Sequence, residues 1–572
     1  MKKISLICSA LLLGTIPFIS CTDMLDEEPL DEFVNNAEFW GNEATVEGYA
    51  NTFYNQFVGY GTSGNGDFYF PSLTDDQVSY TFTNWTYINV PASISDWKNG
   101  YAEIRRSNVM IDGLEKYGES MDSDVKNHWL GVARMMRAYQ YWNLVRKFGD
   151  CVWVDKPLDV NSPELYVART DRDEVMDKVF DDIDFAAKNI NQFSSNREWS
   201  RELAQAMKAR ICLWEGTFRK YRTAADNGKA PDEAGAKRFL EACVDACSAI
   251  MPEFSLCADY QSIYNSTDLS SNPEIIFCKP YQQDVMAHST INWTCMSTPI
   301  NGMSKDAFDS YLKLDGTLPV DGVDDVGVWK QNDNDGASHI DIQNILDNRD
   351  KRLAKQIDPV LCYQGLGWPR KAGGTPMVSS TGYTVSKFDN LSIPDYYRVT
   401  GSQNYTWAPL FWLAEVYLNF AEAKAELGTI TDDDLNKSVN LLKDRAGLPH
   451  LTTAAVSLGD DNKRGNVPVL IWEIRRERRC ELMYDNNFRY WDLIRWHQLD
   501  KLDTSKNPDI AVGANISIDP TAVKQVSLTG NGYIDASNGL TRTYEPRYYL
   551  YPIPSGQMTL NDKLEQNPLW VN

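Results

Sequence analysis

A mainly α-helical fold, built as a divergent array of helix pairs and interrupted by a large, irregular, loop-rich insertion, is what this sequence predicts. Three observations carry that reading. Apolar residues recur at helical spacing through residues 96–255 and again through 405–500. These helical stretches follow one another every few tens of residues without strict sequence identity, as divergent repeats do. Between them, over about 256–404, frequent Gly, Pro, Asn and Asp leave few helical periods. The chain has 572 residues, 43% of them hydrophobic, which is ample for a large buried core.

The chain opens on an export signal. Lys2 and Lys3 precede an apolar run from Ile4 to Ile19, and the small residue Ser20 stands before Cys21. That run is shorter than the ~20 apolar residues a stable membrane-spanning helix needs, so residues 1–20 read as a lipoprotein signal peptide cleaved before Cys21. Lipid is then expected on the Cys21 thiol, where each buried methylene contributes ~0.8 kcal/mol of membrane hold. Residues 21–35, with Asp26, Glu27, Glu28 and Pro29, read as an acidic tether, and 36–572 as the folded part. No later apolar run is long enough to span a membrane.

Taken in order, Asn36 to Phe57 reads as helix, with Phe39, Val46, Tyr49, Ala50 and Phe53 at helical spacing, and Gly59 to Gly66 breaks it. Asp67 to Ser95 is loop-like and rich in Tyr, Trp, Thr and Asn. Helices are expected from Asp96 to about Tyr117 and from Val125 to Phe148, the second apolar nearly all round and therefore buried between others. Asp171–Asn189, Glu198–Tyr221 and Ala234–Ile250 follow. Past the insertion, Leu410–Leu427 is stopped by Gly428, where a left-handed cap residue belongs. Asp432–Ala446 and Val467–Asp485 come next, with Pro468 placed in the first turn. From Asp503 to Asn572 the chain reads mostly as loop.

Composition excludes some partners. The net charge is −23, from 79 acidic and 56 basic side chains, which argues against nucleic acid and against broad contact with anionic lipid. Of 11 cysteines, Cys8 leaves with the signal and Cys21 takes lipid. The rest are scattered without a CxxC pair. Cys212, Cys243, Cys247 and Cys480 sit on apolar helical stretches, so buried free thiols are expected.

Most motifs reduce to structure. Gly59, Gly61 and Gly64 match G-x-G-x-x-G but follow a helix and open none, which makes them a flexible loop and not a dinucleotide site. Five widely spread histidines offer little for zinc or histidine catalysis. Asp333, Asp335 and Gly336 hint at a calcium loop, yet Gln331 and Ile342 occupy its first and last ligand positions, which excludes an EF-hand. A polar turn is the reading; no cofactor is expected beyond that single candidate for a structural calcium. Glu473, Glu477 and Glu481 share a helix face with Arg475, Arg476, Arg478 and Arg479 interleaved, which reads as ion pairing. Asp75 and Asp76 are adjacent acids, and a glycosidase needs two carboxylates at a defined separation that a sequence does not measure.

The aromatic loop says more. Tyr80, Phe82, Trp85 and Tyr87 fall within eight residues, interleaved with Thr81, Thr83, Asn84, Thr86 and Asn89. Flat rings beside amides and hydroxyls suit a sugar, which presents apolar C–H faces and equatorial hydroxyls. Asn292-Trp293-Thr294 repeats the pattern inside the insertion. Trp85, Tyr87 and Trp293 are the first candidates for ligand contact, with Asn84 beside them and Tyr80 and Trp329 behind.

These pieces also carry a family likeness. Cys21 with its acidic follow-on, Trp97 to Asn108, Ala133 to Asp150 with Arg137-Ala138-Tyr139 at its centre, and Leu410 to Gly428 occur in the family's order. Arg445-Ala446-Gly447-Leu448-Pro449, Glu473 to Trp496, Tyr551-Pro552-Ile553-Pro554 and Gln566-Asn567-Pro568 continue it. The chain resembles, nearly end to end, the SusD/RagB family of surface-exposed nutrient-binding lipoproteins of Bacteroidetes. The resemblance implies a tetratricopeptide-like helix-pair superhelix and a non-enzymatic role. It implies an outer-membrane lipoprotein that captures oligosaccharide or polysaccharide and delivers it to a SusC-like TonB-dependent transporter. Family ligand sites vary in sequence, so no binding motif carries over. A peptide-binding member of the family is the first alternative, and a glycoside hydrolase the second.

Overall fold

The structure, a computed structural model, describes residues 35–62, 64–227, 229–295, 300–331, 338–363, 378–519 and 526–570. Cys21, the tether up to residue 34, and the turn from Asp333 to Gly336 lie outside the described residues.

The architecture is mainly helical, with a few two-stranded ladders. The principal helices are α1 (Glu43–Asn51), α2 (Ser95–Tyr117), α3 (Ser123–Phe148), α4 (Arg172–Asn189), α5 (Arg201–Tyr221), α6 (Glu233–Ile250), α7 (Leu413–Glu426), α8 (Val439–Ala446), α9 (Val469–Glu481) and α10 (Phe488–Arg495). Each of α2 to α7 packs on the next, and α7 packs in turn on α9. Side-chain caps set the starts: Asp122, Asp171, Ser200 and Asp232 accept from the first-turn amides of α3, α4, α5 and α6. α3 buries residues on every side, including Trp129, Val132, Met136, Tyr141 and Phe148, as an all-round apolar helix must. Gly428 follows α7 at φ +68°, and Thr429 N–H closes back on the Lys424 carbonyl at 2.9 Å, completing the left-handed cap that its position predicted.

Buried ion pairs bolt neighbouring helices together. Arg137 of α3 makes a bidentate pair with Asp182 of α4 at 2.7 and 2.8 Å, and Arg210 of α5 does the same with Glu415 of α7 at 2.7 Å. The acids on the α9 face are paired as expected, but largely with partners from elsewhere. Glu473 bonds Arg476 within the helix, whereas Glu481 takes Arg352 and Arg445, and Glu477 takes Arg352.

Four elements differ from their sequence reading, each for a local reason. Asn36–Phe57 is not one helix. Asn36 and Asn42 each cap a new segment, giving Ala37–Trp40, then α1, then a 3₁₀ turn at Thr52–Gln56. Residues 408–412 form a strand, and only from Leu413 does the chain turn helical. Asp432–Ala446 is split by Ser438, leaving Asp432–Asn436 with a Thr431/Asp434 capping box before α8. Pro468 stands at the N-cap of α9 in extended conformation, one residue ahead of the first turn.

The loop-rich stretch and the C-terminal stretch contribute short antiparallel ladders. They are β1 (Gln77–Ser79) with β3 (Asn301–Met303), β2 (Ile275–Lys279) with β6 (Ala408–Trp412), β4 (Val328–Lys330) with β5 (His339–Asp341), and β7 (Val512–Asn515) with β8 (Tyr533–Asp535). Of the nine described cysteines, eight are buried. Cys243 and Cys247 face each other at 4.0 Å without a bridge.

Candidate functional site

The ring-bearing loops converge around Trp293. Trp293 lies in the short helix Thr290–Thr294, half-buried, with Phe70 edge-on at 5.5 Å and Gly64 beneath the indole. Three loops hold it there. Ser289 N–H donates to the Gly61 carbonyl at 3.0 Å, tying the helix to the glycine loop. His288 and Asn404 exchange both backbone hydrogen bonds at 2.8 and 3.1 Å, and Asn292 N–H donates to Asn404 Oδ1 at 2.9 Å. Asn292 Nδ2 donates to the Val399 carbonyl, seating the helix Asp395–Val399. Arg398, buried, clamps that helix through a bidentate pair with Asp389 at 2.9 and 2.8 Å.

Beside Trp293 this arrangement exposes a run of tyrosines. Tyr396 is 59% exposed and stands edge-on to Tyr397, which stands edge-on to Tyr405. Gln283 Nε2 donates to the Tyr397 hydroxyl at 2.7 Å. The exposed Tyr396 and the half-buried Trp293, Tyr397 and Tyr405 thus sit among amides and hydroxyls on a loop framework that is internally hydrogen-bonded. His288, fully buried, fixes the floor. Its Nδ1 accepts from Thr290 N–H at 3.2 Å, so Nε2 carries the proton and donates to the Thr406 carbonyl at 3.1 Å. Burial drives its pKa down to about 3, which keeps it neutral near pH 7.

The glycine loop is tighter than a flexible linker. A Cβ on Gly61 would fall 1.4 Å from the Asn65 carbonyl oxygen, Asn65 N–H donates to the Thr62 carbonyl at 3.0 Å, and Asp67 N–H returns to the Gly59 carbonyl at 3.0 Å. The G-x-G-x-x-G pattern is a packed turn beside Trp293.

The sequence candidates fare unequally. Trp85 is 6% exposed, stacked on Tyr548 at 4.3 Å, with Nε1 donating to the Thr543 carbonyl at 2.7 Å. It packs the C-terminal segment and offers no ring face, which corrects its place as an exposed platform. Asn84 is exposed and its Oδ1 accepts from Trp85 N–H. Tyr87 is half-buried, edge-on to Tyr551 at 5.0 Å. Tyr80 is 49% exposed at the end of β1, its N–H donating to the Ile300 carbonyl at 2.7 Å. Trp329 is half-buried on β4, opposite Ile340. Trp85 and Trp293 therefore pack on different partners. Phe70, Tyr396, Tyr397 and Tyr405 were missed, although Tyr396-Tyr397 and Asn404-Tyr405-Thr406 carry the same aromatic–polar signal as residues 80–87.

A second concavity, a cleft of about 1150 Å³, is lined by charged residues including Lys305, Asp306, Arg476, Arg479 and Arg489. Its charges are largely paired with one another. Asp75 receives Arg489 through two 2.7 Å bonds, and Asp76 receives Arg479 at 2.7 Å. Burial disfavours the Asp75 carboxylate, but Arg479 and Arg489 outweigh it and hold its pKa down at about 2. Both acids are structural counter-ions. Lys501 alone among the lining cations named here bonds only a carbonyl, that of Lys463 at 2.7 Å, over the Trp472 ring. Among the described residues, no group of three or more His, Cys, Asp or Glu is placed to hold a metal ion, and no helix is long and apolar enough to cross a membrane.

Comparison with known proteins identifies the class to which this helical scaffold with ring-bearing loops belongs. The SusD family profile matches residues 273–570, and a profile described as starch-binding associating with outer membrane matches residues 21–213. The chain belongs to the SusD family. SusD-like protein P25 of Formosa agariphila is 23% identical over 439 residues, covering 71% of this chain and 70% of that protein. SusD-like protein P2 of the same organism is 22% identical over 483 residues, covering 82% and 79%. A crystal structure of a SusD-like carbohydrate-binding protein from Bacteroides fragilis superposes with a TM-score of 0.68 at 20% identity, over 92% of this chain and 100% of that one. The tetratricopeptide-like superhelix expected from the resemblance agrees with that likeness.

Proposed function

We propose that this protein captures oligosaccharide on the loop surface around Trp293 and delivers it to a SusC-like TonB-dependent outer-membrane transporter, held at the cell surface by lipid on Cys21. Family membership supports a binding role at the outer membrane, and the profile over residues 21–213 is described in those terms. The observation that carries the site is the Trp293–Phe70 pair, half-exposed on a loop framework locked by Asn292, Asn404 and Arg398. A rigid ring loses little freedom on binding, and sugar C–H faces pack on it. Trp293→Ala is expected to weaken glycan binding ~30-fold, about 2 kcal/mol, with the melting temperature nearly unchanged. A glycan array on the lipid-free protein finds the ligand; if no glycan binds, the reading fails. No reducing ends should be released, because Asp75 and Asp76 are engaged by arginines. Cys21→Ala should leave the protein unprocessed and out of the membrane fraction.

The charged cleft favours one second reading, a peptide ligand held by ion pairs and backbone bonds. Titration with mixed-charge peptides separates the two: a peptide that binds and is weakened by Lys501→Ala but not by Trp293→Ala would replace the glycan reading.

A further inference from the structure

Four arginines meet at a cavity of about 70 Å³ lined by α3, α5, β6, α7, α9, α10 and the loop ending at Asp67. Three of them are neutralised. Arg210 holds Glu415, Arg478 holds Asp492 at 2.8 Å, and Arg495 holds Glu422 at 2.6 and 2.7 Å. Arg146 is the exception. Its guanidinium is sandwiched between the indoles of Trp142 and Trp491, each 4.2 Å away, and its buried Nε has no acceptor. Among the described residues no carboxylate lies within ion-pair distance of it.

A second donor on the same cavity is also orphaned. Asn419 is 1% exposed, and its Oδ1 is occupied by Arg478 Nη1 at 2.8 Å. That contact fixes the amide's orientation and leaves Nδ2 buried without an acceptor. The remaining acid of the lining, Asp67, already accepts from Gly59 N–H at 3.2 Å, and burial pushes its pKa up, toward the neutral form. Arg146 is only partly buried, but its Nε is shut off from water, and the two stacked indoles cover the guanidinium faces without supplying an acceptor in its plane. Donors without acceptors, around a space large enough for a small ion with water, call for a negative guest.

We propose that this cavity binds a small monovalent anion of the halide class, with the Arg146 guanidinium and the Asn419 amide as its donors. The Asp67 loop that closes the cavity is the one whose Gly64 lies beneath Trp293, so a filled cavity braces the floor of the aromatic surface.

The test uses bromide on the folded protein. Crystals grown in bromide should show an anomalous peak in the cavity beside Arg146. In solution, replacing gluconate by bromide at constant ionic strength should raise the melting temperature saturably. Arg146→Met, which keeps the stem between the indoles and removes the donors, should raise the half-saturating bromide concentration at least tenfold. Water alone in the cavity at saturating bromide overturns the proposal, whatever the variant does. So does a bromide response of the melting temperature that is the same in the unaltered protein and in Arg146→Met.

Discussion

Trp85 and Trp293 share a sequence setting, an indole between Asn and Thr, and the structure gives them opposite roles. Trp85 fills a slot between Tyr548 and the Thr543 carbonyl, so Trp85→Ala should cost about 3–5 kcal/mol of stability and lower the melting temperature sharply. Retention of the wild-type melting temperature would show that the slot collapses without loss. Nothing in the local sequence separates the two residues, because the partners of Trp85 lie 458 residues further along the chain. His288 gives a residue-scale prediction in pH. Its folded pKa is about 3 against about 6.5 unfolded, so between those values the unfolded chain binds the extra proton. Stability from this group is therefore complete above pH 6.5 and is lost as pH falls, by about 2 kcal/mol at pH 5. Stability-versus-pH curves for the wild type and His288→Gln isolate the effect, since every other titration is common to both. Parallel curves from pH 7 to 5 would remove His288 from the account.

Elements were legible where one period dominates. α2 to α6 were readable because each is long enough for its apolar stripe, or for α3 its all-round burial, to outvote single residues. The breaks were less so. Asn42 starts a new helix by accepting from the Ala44 N–H, and Ser438 donates its hydroxyl back to the Asp434 carbonyl without capping α8, while the periodic pattern continues through both. Residues 410–412 read as the start of a helix because Leu410, Phe411 and Trp412 are apolar. A strand buried on both faces against β2 looks the same in sequence. The glycine loop shows that limit at the site: its spacing was visible and the close packing around Gly61 was not. Gly61→Ala should disrupt this turn, since the added methyl has no space beside the Asn65 carbonyl. Because Ser289 hangs from Gly61, the expected result is glycan binding weakened about tenfold or more with a modest drop in melting temperature. Unchanged binding would uncouple this loop from the Trp293 surface.

At the scale of the whole molecule, buried ion pairs join elements far apart in sequence, and they make the fold acid-sensitive in a defined window. Asp75 is fixed by Arg479 and Arg489, and Glu422 by Arg495, across separations of about 400 and 70 residues. Burial opposes ionisation of both acids, yet the arginines win and hold each pKa at about 2. Folded values below the unfolded ones mean stability that is present above about pH 4.5 and lost as pH falls toward 2. The loss is about 2–3 kcal/mol for each acid. Asp309 and Asp485 act in the other sense, with pKa values pushed up to about 6 by burial. They are protonated in the folded state before that window opens, so they do not mask it. Denaturant midpoints should therefore fall steeply between pH 4 and 2. Asp75→Asn should flatten that descent while lowering stability at pH 7, because it removes the carboxylate that Arg489 holds through two 2.7 Å bonds. A midpoint insensitive to pH across this window would mean that the arginines do not hold these carboxylates ionised.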